Sequence, residues 1–128
     1  MMNKRILIVD DERLTRISLA AFLRDAGYQV SIAADGKSAI RMHQERPFDV
    51  CIVDIRMPGM NGVETILALH HILPSSRFLI YTGSPTFTLP SALSALGISE
   101  ELVVYKPVLD MNIFLSLISS GQMRGGGV

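Results

Sequence analysis

Tryptophan is absent from this 128-residue chain, and three tyrosines and five phenylalanines are all the aromatic surface it has. Its core must therefore be largely aliphatic. Cysteine occurs once, as Cys51, inside an apolar run. One thiol cannot close an internal disulfide and packs as a small hydrophobe, so a reducing compartment such as the cytoplasm fits. An excess of either charge is also missing, because 12 basic and 12 acidic side chains cancel to a formal zero. That removes the electrostatic case for direct nucleic-acid binding or for an acidic membrane surface. Long hydrophobic runs are lacking too. The opening MMNKRILIVDDERL has a four-residue aliphatic run before two acids, which makes neither a signal peptide nor a membrane span. No glycine-rich loop follows that run, so VDDERLTR does not begin a nucleotide-binding domain.

What is present alternates. Short apolar runs at ILIV (6–9), QVSIA (29–33), VCIV (50–53), RFLIYT (77–82) and LVVY (102–105) read as strands. Between and after them come helical patterns. Residues 14–26 place Leu14, Ile17, Ala21 and Phe22 at helical spacing, with Gly27 as the stop. GKSAIRMHQE (36–45) closes before Pro47, and VETILALHHIL (63–73) before Pro74. SALSAL (91–96) stops at Gly97. From Asp110, a helix cap, MNIFLSLISS sets Ile113, Phe114, Leu117 and Ile118 on one face. Strand followed by helix, repeated in this way, specifies an α/β domain whose parallel sheet is covered on both faces. QVSIA is the least apolar strand and belongs at a sheet edge. Residues 1–120 form the domain, and GQMRGGGV (121–128) reads as a Gly-rich disordered tail or the start of a linker.

Ligands of open α/β sheets bind beyond the carboxyl ends of the strands. Here the ends carry Asp10-Asp11, Asp54, Thr82-Gly83 and Lys106-Pro107. Singly, each has a plain structural reading: a helix cap, a turn, a strand-closing hydroxyl, a solvated lysine. Jointly they place three carboxylates, a hydroxyl and an ammonium on one edge. Clustered carboxylates repel unless a cation joins them, and hard oxygen ligands with open positions suit Mg²⁺. A lysine supplies a point charge for a phosphoryl oxygen, and a carboxylate can itself be the nucleophile. Phosphoryl transfer asks for little beyond positioning and charge neutralisation.

In ILIVDDE (6–12), VDIRMPGMNG (53–62), YTG (81–83) and YKP (105–107) the chain resembles the receiver domains of two-component response regulators, from Lys4 to about Ser120. The resemblance implies the flavodoxin-like, CheY-like fold, a doubly wound five-stranded parallel sheet of order 2-1-3-4-5. It implies that Asp54 is the phosphoacceptor. Asp10, Asp11, Asp54 and the backbone carbonyl of Arg56 would hold Mg²⁺. Thr82 would follow the phosphoryl group, Lys106 would contact it, and a cis bond would join Lys106 to Pro107. The donor would be a phosphohistidine on a sensor histidine kinase or phosphotransfer protein. Phosphorylation would shift the conformation seen by an unknown output domain or partner. Such a domain is a cytoplasmic signalling phosphoacceptor, catalysing only its own phosphorylation and dephosphorylation. A homodimer, if formed, would use the fourth helix, fifth strand and fifth helix.

The chain departs from the family at Val103, where an aromatic switch residue is usual; Tyr105 is the nearest ring and shares its strand face. Gly83 should leave the site open, and Gly83 to about Leu89 should be a mobile loop with Phe87 as its exposed or semi-exposed aromatic. Arg56 and Ser84 are expected to tune dephosphorylation. Two rivals remain. A haloacid-dehalogenase-like phosphatase wants an acid where Arg56 stands. A pseudo-receiver, a binding module independent of phosphorylation, has no need of the intact acid, threonine and lysine set. Adjacent His70 and His71 cannot share a metal, so zinc is not expected. His43 reads as a surface residue, Met57 and Met60 as turn packing, and Glu12 as a first-turn helix acid.

Overall fold

The computed structural model describes residues 4–126, with side chains through Ser119. Strands β1 (Arg5–Val9), β2 (Gln29–Ala33), β3 (Val50–Val53), β4 (Arg77–Thr82) and β5 (Val103–Tyr105) alternate with helices α1 (Arg13–Asp25), α2 (Gly36–Glu45), α3 (Gly62–Ile72), α4 (Ser91–Ser94) and α5 (Asn112–Gly126). A single 3₁₀ turn, Glu100–Leu102, leads into β5. The sheet has five strands, all parallel, in the order β2-β1-β3-β4-β5. β2 is an edge, as its weaker apolarity predicts.

The central strands are sealed from water, with every residue of β3 buried. Because β3 pairs with β1 in the register Val9↔Val53, the residues that follow those strands, Asp10 and Asp54, emerge side by side. The Asp54 N–H donates to the Val9 carbonyl at 2.9 Å and fixes that level. α3 starts with a reciprocal cap. Asn61 Oδ1 accepts from the Glu64 N–H at 2.9 Å, and Glu64 Oε1 accepts from the Asn61 N–H at 3.0 Å.

The opposite end of the sheet is tied by Arg5. Its guanidinium donates to the carbonyls of Arg46 at 2.9 Å and Pro47 at 2.6 Å, and stacks 4.3 Å over the Phe48 ring. Its backbone N–H donates to Asp49 Oδ2 at 2.8 Å. Ser76 Oγ donates to the Phe48 carbonyl at 2.7 Å from the far side.

Four expectations need correction. α1 does not bury Leu14, Ile17 and Ala21, which are exposed; Leu19, Ala20 and Leu23 face the sheet instead. Two apolar stripes compete on this helix, and Arg16 Nη1, donating to the Asp10 carbonyl at 2.8 Å, helps set the rotation. His43 is fully buried, not a surface residue: Ala39 and His43 form the inward stripe of α2, and His43 Nδ1 accepts the Phe48 N–H at 3.0 Å. Ile113 is 43% exposed, while Phe114 and Ile118 carry α5 onto the core. α5 also runs on to Gly126, past the tail boundary expected at residue 121. Once a helix is anchored by packing, each added glycine costs only about 1 kcal/mol. Residues 127 and 128, the end of the expected tail, lie outside the described residues.

Candidate phosphoryl-transfer site

Asp10 and Asp54 are carboxylates on the ends of two buried neighbouring strands, so both side chains are almost dry, at 1% and 5% exposed. Asp11, one residue further on, is exposed. Carboxylate oxygens of Asp10, Asp11 and Asp54 lie within 4.8 Å of one another. Every donor in this group is a hard anionic oxygen, and the cluster opens outward at Asp11. The set therefore fits a hard divalent cation such as Mg²⁺.

One cation of the chain already reaches this cluster. Lys106, at the end of β5, points its ammonium at Asp10 Oδ2 (2.9 Å) and Glu12 Oε1 (2.9 Å), with Asp54 Oδ2 at 3.7 Å. The Lys106 N–H donates to the Thr82 carbonyl at 2.8 Å, which locks the two strand ends together. The bond from Lys106 to Pro107 is cis. Thr82 is fully buried, and its Oγ1 accepts the Ser84 N–H at 3.1 Å. The Arg56 N–H donates to Asp54 Oδ1 at 3.3 Å, while the Arg56 side chain is exposed. An open cleft of about 520 Å³ over this edge is lined by Asp11, Glu12, Asp54, Arg56, Gly83, Lys106 and Pro107. A Cβ on Gly83 would come no closer than 3.8 Å to a side chain, Lys106 Cδ, an ordinary contact.

The electrostatics follow from this arrangement. Burial first, then the neighbouring Asp10, pushes the Asp54 carboxyl up to about 6; Lys106 and the Arg56 N–H pull the other way. Burial works against the Lys106 charge, but hydrogen bonds to Asp10 and Glu12 outweigh it and hold the ammonium above the usual lysine range. For Glu12 the hydrogen bond to Lys106 dominates and lowers its proton affinity. Asp54 is thus a carboxylate under strain from its neighbours, relieved by one lysine.

The strand-end residues named from the sequence, Asp10, Asp11, Asp54, Thr82 and Lys106, meet at this edge. Val103 and Tyr105 do not meet each other in environment: Val103 is buried, whereas Tyr105 is 42% exposed on the edge strand, beside Gly83 and Pro85. Phe87 is half-buried against the core. Met57 is buried at the turn, and Met60 lies where a Cβ on Gly36 would touch it. Two contributors were missed. Glu12 is the residue before α1, and it pairs with Lys106 across 94 residues of sequence, which no local signal reveals. Tyr81 sits with its ring centroid 5.2 Å from the Lys106 ammonium and is packed edge-on against Phe114 at 5.0 Å. Its place immediately before Thr82 in an alternating strand was the available signal.

A parallel α/β sheet with an acid cluster, a buried threonine and a lysine on its carboxyl edge defines a class of signalling domain, and comparison with known proteins makes it specific. The family model for the response regulator receiver domain matches residues 6–117. The chain belongs to that family. It is 36% identical over 80 residues to the chemotaxis protein CheY of Thermotoga maritima, covering 62% of this chain and 67% of that protein. It is 40% identical over 84 residues to the sporulation initiation phosphotransferase F of Bacillus subtilis, covering 65% and 67%. Among solved structures, the chemotaxis protein CheY4 of Vibrio cholerae aligns with a TM-score of 0.78 at 30% identity, covering 92% of this chain and 98% of that one. Other relatives are longer: the chain spans 34% of a response regulator receiver protein of Anaeromyxobacter sp. and 18% of the transcriptional regulatory protein ZraR of Escherichia coli O157:H7. Among the described residues no helix is long and apolar enough to cross a membrane, and no metal-ligand cluster other than Asp10, Asp11 and Asp54 forms.

Proposed function

We propose that Asp54 accepts a phosphoryl group from a phosphohistidine of a sensor histidine kinase or phosphotransfer protein, in the cytoplasm, and that the acyl phosphate biases the conformation read by an output domain or partner. The observation that carries this reading is the buried Asp54 carboxylate, pressed by Asp10 and faced by Lys106 at 3.7 Å. One Asp54 oxygen attacks phosphorus, the N–P bond of the donor breaks, and the imidazole leaves with a proton. Hydrolysis later returns the carboxylate and inorganic phosphate. Lys106 supplies fixed positive charge to a phosphoryl oxygen, and the Thr82 hydroxyl supplies a hydrogen bond, both prepositioned by paired strand ends. Asp10, Asp11, Asp54 and the Arg56 carbonyl would hold Mg²⁺, which when bound neutralises charge on the phosphoryl oxygens. Arg56 lines the cleft, and with Ser84, whose N–H binds Thr82 Oγ1, it would tune how fast water removes the phosphate.

Incubation with acetyl phosphate and Mg²⁺ tests this. The expected product is one hydroxylamine-labile phosphate on the wild-type chain and none on Asp54→Asn. Equal labelling of both would overturn the choice of acceptor, and an unlabelled wild type would favour a phosphorylation-independent binding module.

A further inference from the structure

The geometry points to Glu12 as a positioning residue for Lys106. We infer that it holds the ammonium at the rim of the acid cluster, so that Asp10 and Asp54 stay available to a divalent cation. This rests on the proposed function and assigns a part to a residue outside the acid, threonine and lysine set.

Lys106 has three acids within reach, and its distances rank them: Asp10 and Glu12 at 2.9 Å, Asp54 at 3.7 Å. Asp10 is already engaged on both oxygens. Oδ1 accepts the Glu12 N–H at 2.9 Å, and Oδ2 accepts Lys106. An ammonium resting wholly on Asp10 and Asp54 would compete with a metal for the same lone pairs. Glu12 offsets that competition from the outside. Its side chain is 62% exposed, and it stands at the residue that caps α1. Its Oε1 also accepts from Thr15 Oγ1 at 3.2 Å, which steadies the carboxylate from the first turn of the helix. One residue thus touches both sides of the contest: its backbone N–H binds the acid that the metal needs, and its carboxylate binds the lysine.

Removing the carboxylate should let Lys106 settle onto Asp10 and Asp54. The test is a double-mutant cycle on the full chain, with Mg²⁺ affinity read by titration calorimetry and folding checked by thermal unfolding in chelator. Glu12→Gln should weaken Mg²⁺ binding about two- to fivefold, the scale of a partly exposed ion pair. In a Lys106→Met background the same change should have little effect, because there is no ammonium to redirect. Equal losses in both backgrounds would mean that Glu12 acts only as one more negative charge, and would overturn the inference while leaving the proposed function standing. If Lys106→Met does not fold, Glu12→Asp decides. It keeps the charge but shortens the reach, so weakened binding supports the inference and wild-type binding overturns it. A wild-type chain that binds no Mg²⁺ would remove the functional reading, and this inference with it.

Discussion

Gly62 lies against the backbone of Asp54. A Cβ on Gly62 would run into the Asp54 carbonyl and come to 2.6 Å from Ile55 Cα. The Gly62 N–H also donates to the Ile55 carbonyl at 3.0 Å. The start of α3 is therefore pressed directly onto the segment that carries the Asp54 carboxylate, with no side chain between. Gly62→Ala should cost about 3 kcal/mol, since the obstructing atoms are backbone and cannot swing aside. Urea denaturation would measure the loss. Acetyl phosphate labelling should slow as well, because relief of the clash moves Asp54.

Asp54 is charged at neutral pH against the preference of its site. With its proton affinity raised to about 6 from an ordinary 3.8, the folded chain binds a proton between those values that the unfolded chain does not. Its contribution to stability is present at low pH and is lost as pH rises through 6. In chelator at pH 8, Asp54→Asn should therefore be more stable than wild type by on the order of 2 kcal/mol. The gap should close as pH falls from 6 towards 4. A variant no more stable than wild type at pH 8 would contradict this account of the site.

His43 works in the opposite sense. Burial lowers its proton affinity below the ordinary 6.5, with Arg5 adding to the effect and the Leu69 carbonyl opposing it. Above pH 6.5 both folded and unfolded chains are neutral at this residue. Below it the unfolded chain protonates first, and stability is lost. His43→Asn keeps an oxygen able to accept the Phe48 N–H but cannot titrate. Urea midpoints measured from pH 7.5 to 5 should fall less steeply in the variant, after a pH-independent loss of about 1 kcal/mol.

Phe114 is fully buried, and its ring meets Tyr81 edge-on at 5.0 Å. Phe114→Ala should cost about 3–5 kcal/mol by leaving a cavity under α5. Because Tyr81 in turn flanks Lys106, labelling of Asp54 should slow in this variant even under conditions where it remains folded. Calorimetric melting and a labelling time course would check the two effects separately.

Local chemistry was legible in the sequence. The strands at 50–53 and 77–82 and the helix at 36–45 end where their apolar runs and flanking Pro, Gly and Asp signals end. The acids, threonine and lysine met because a parallel sheet brings all carboxyl ends of its strands to one edge. What escaped depends on partners distant in sequence. The rotation of α1 is a choice between two apolar stripes, and the stripe through Leu14 and Ile17 looks as good as the one through Leu19 and Leu23 until the sheet is in place. His43 looks polar until Phe48 offers it a backbone donor. Glu12 looks like any first-turn acid until β5 delivers Lys106.

The knot at Arg5 gives the molecule a fulcrum. One guanidinium grips two carbonyls and a ring of the loop into β3, while the Arg5 N–H on β1 holds Asp49 of that loop and Ser76, just before β4, holds its Phe48 carbonyl. At that end the sheet is a clamped beam. At the other end it is a free one, where like charges push apart and a lysine pulls them back. Under the proposed function a load at Asp54 would fall on that free end, where β4 closes in Thr82 and Lys106 follows β5. A phosphoryl group bound there would add its charge at the end of the sheet opposite the Arg5 clamp.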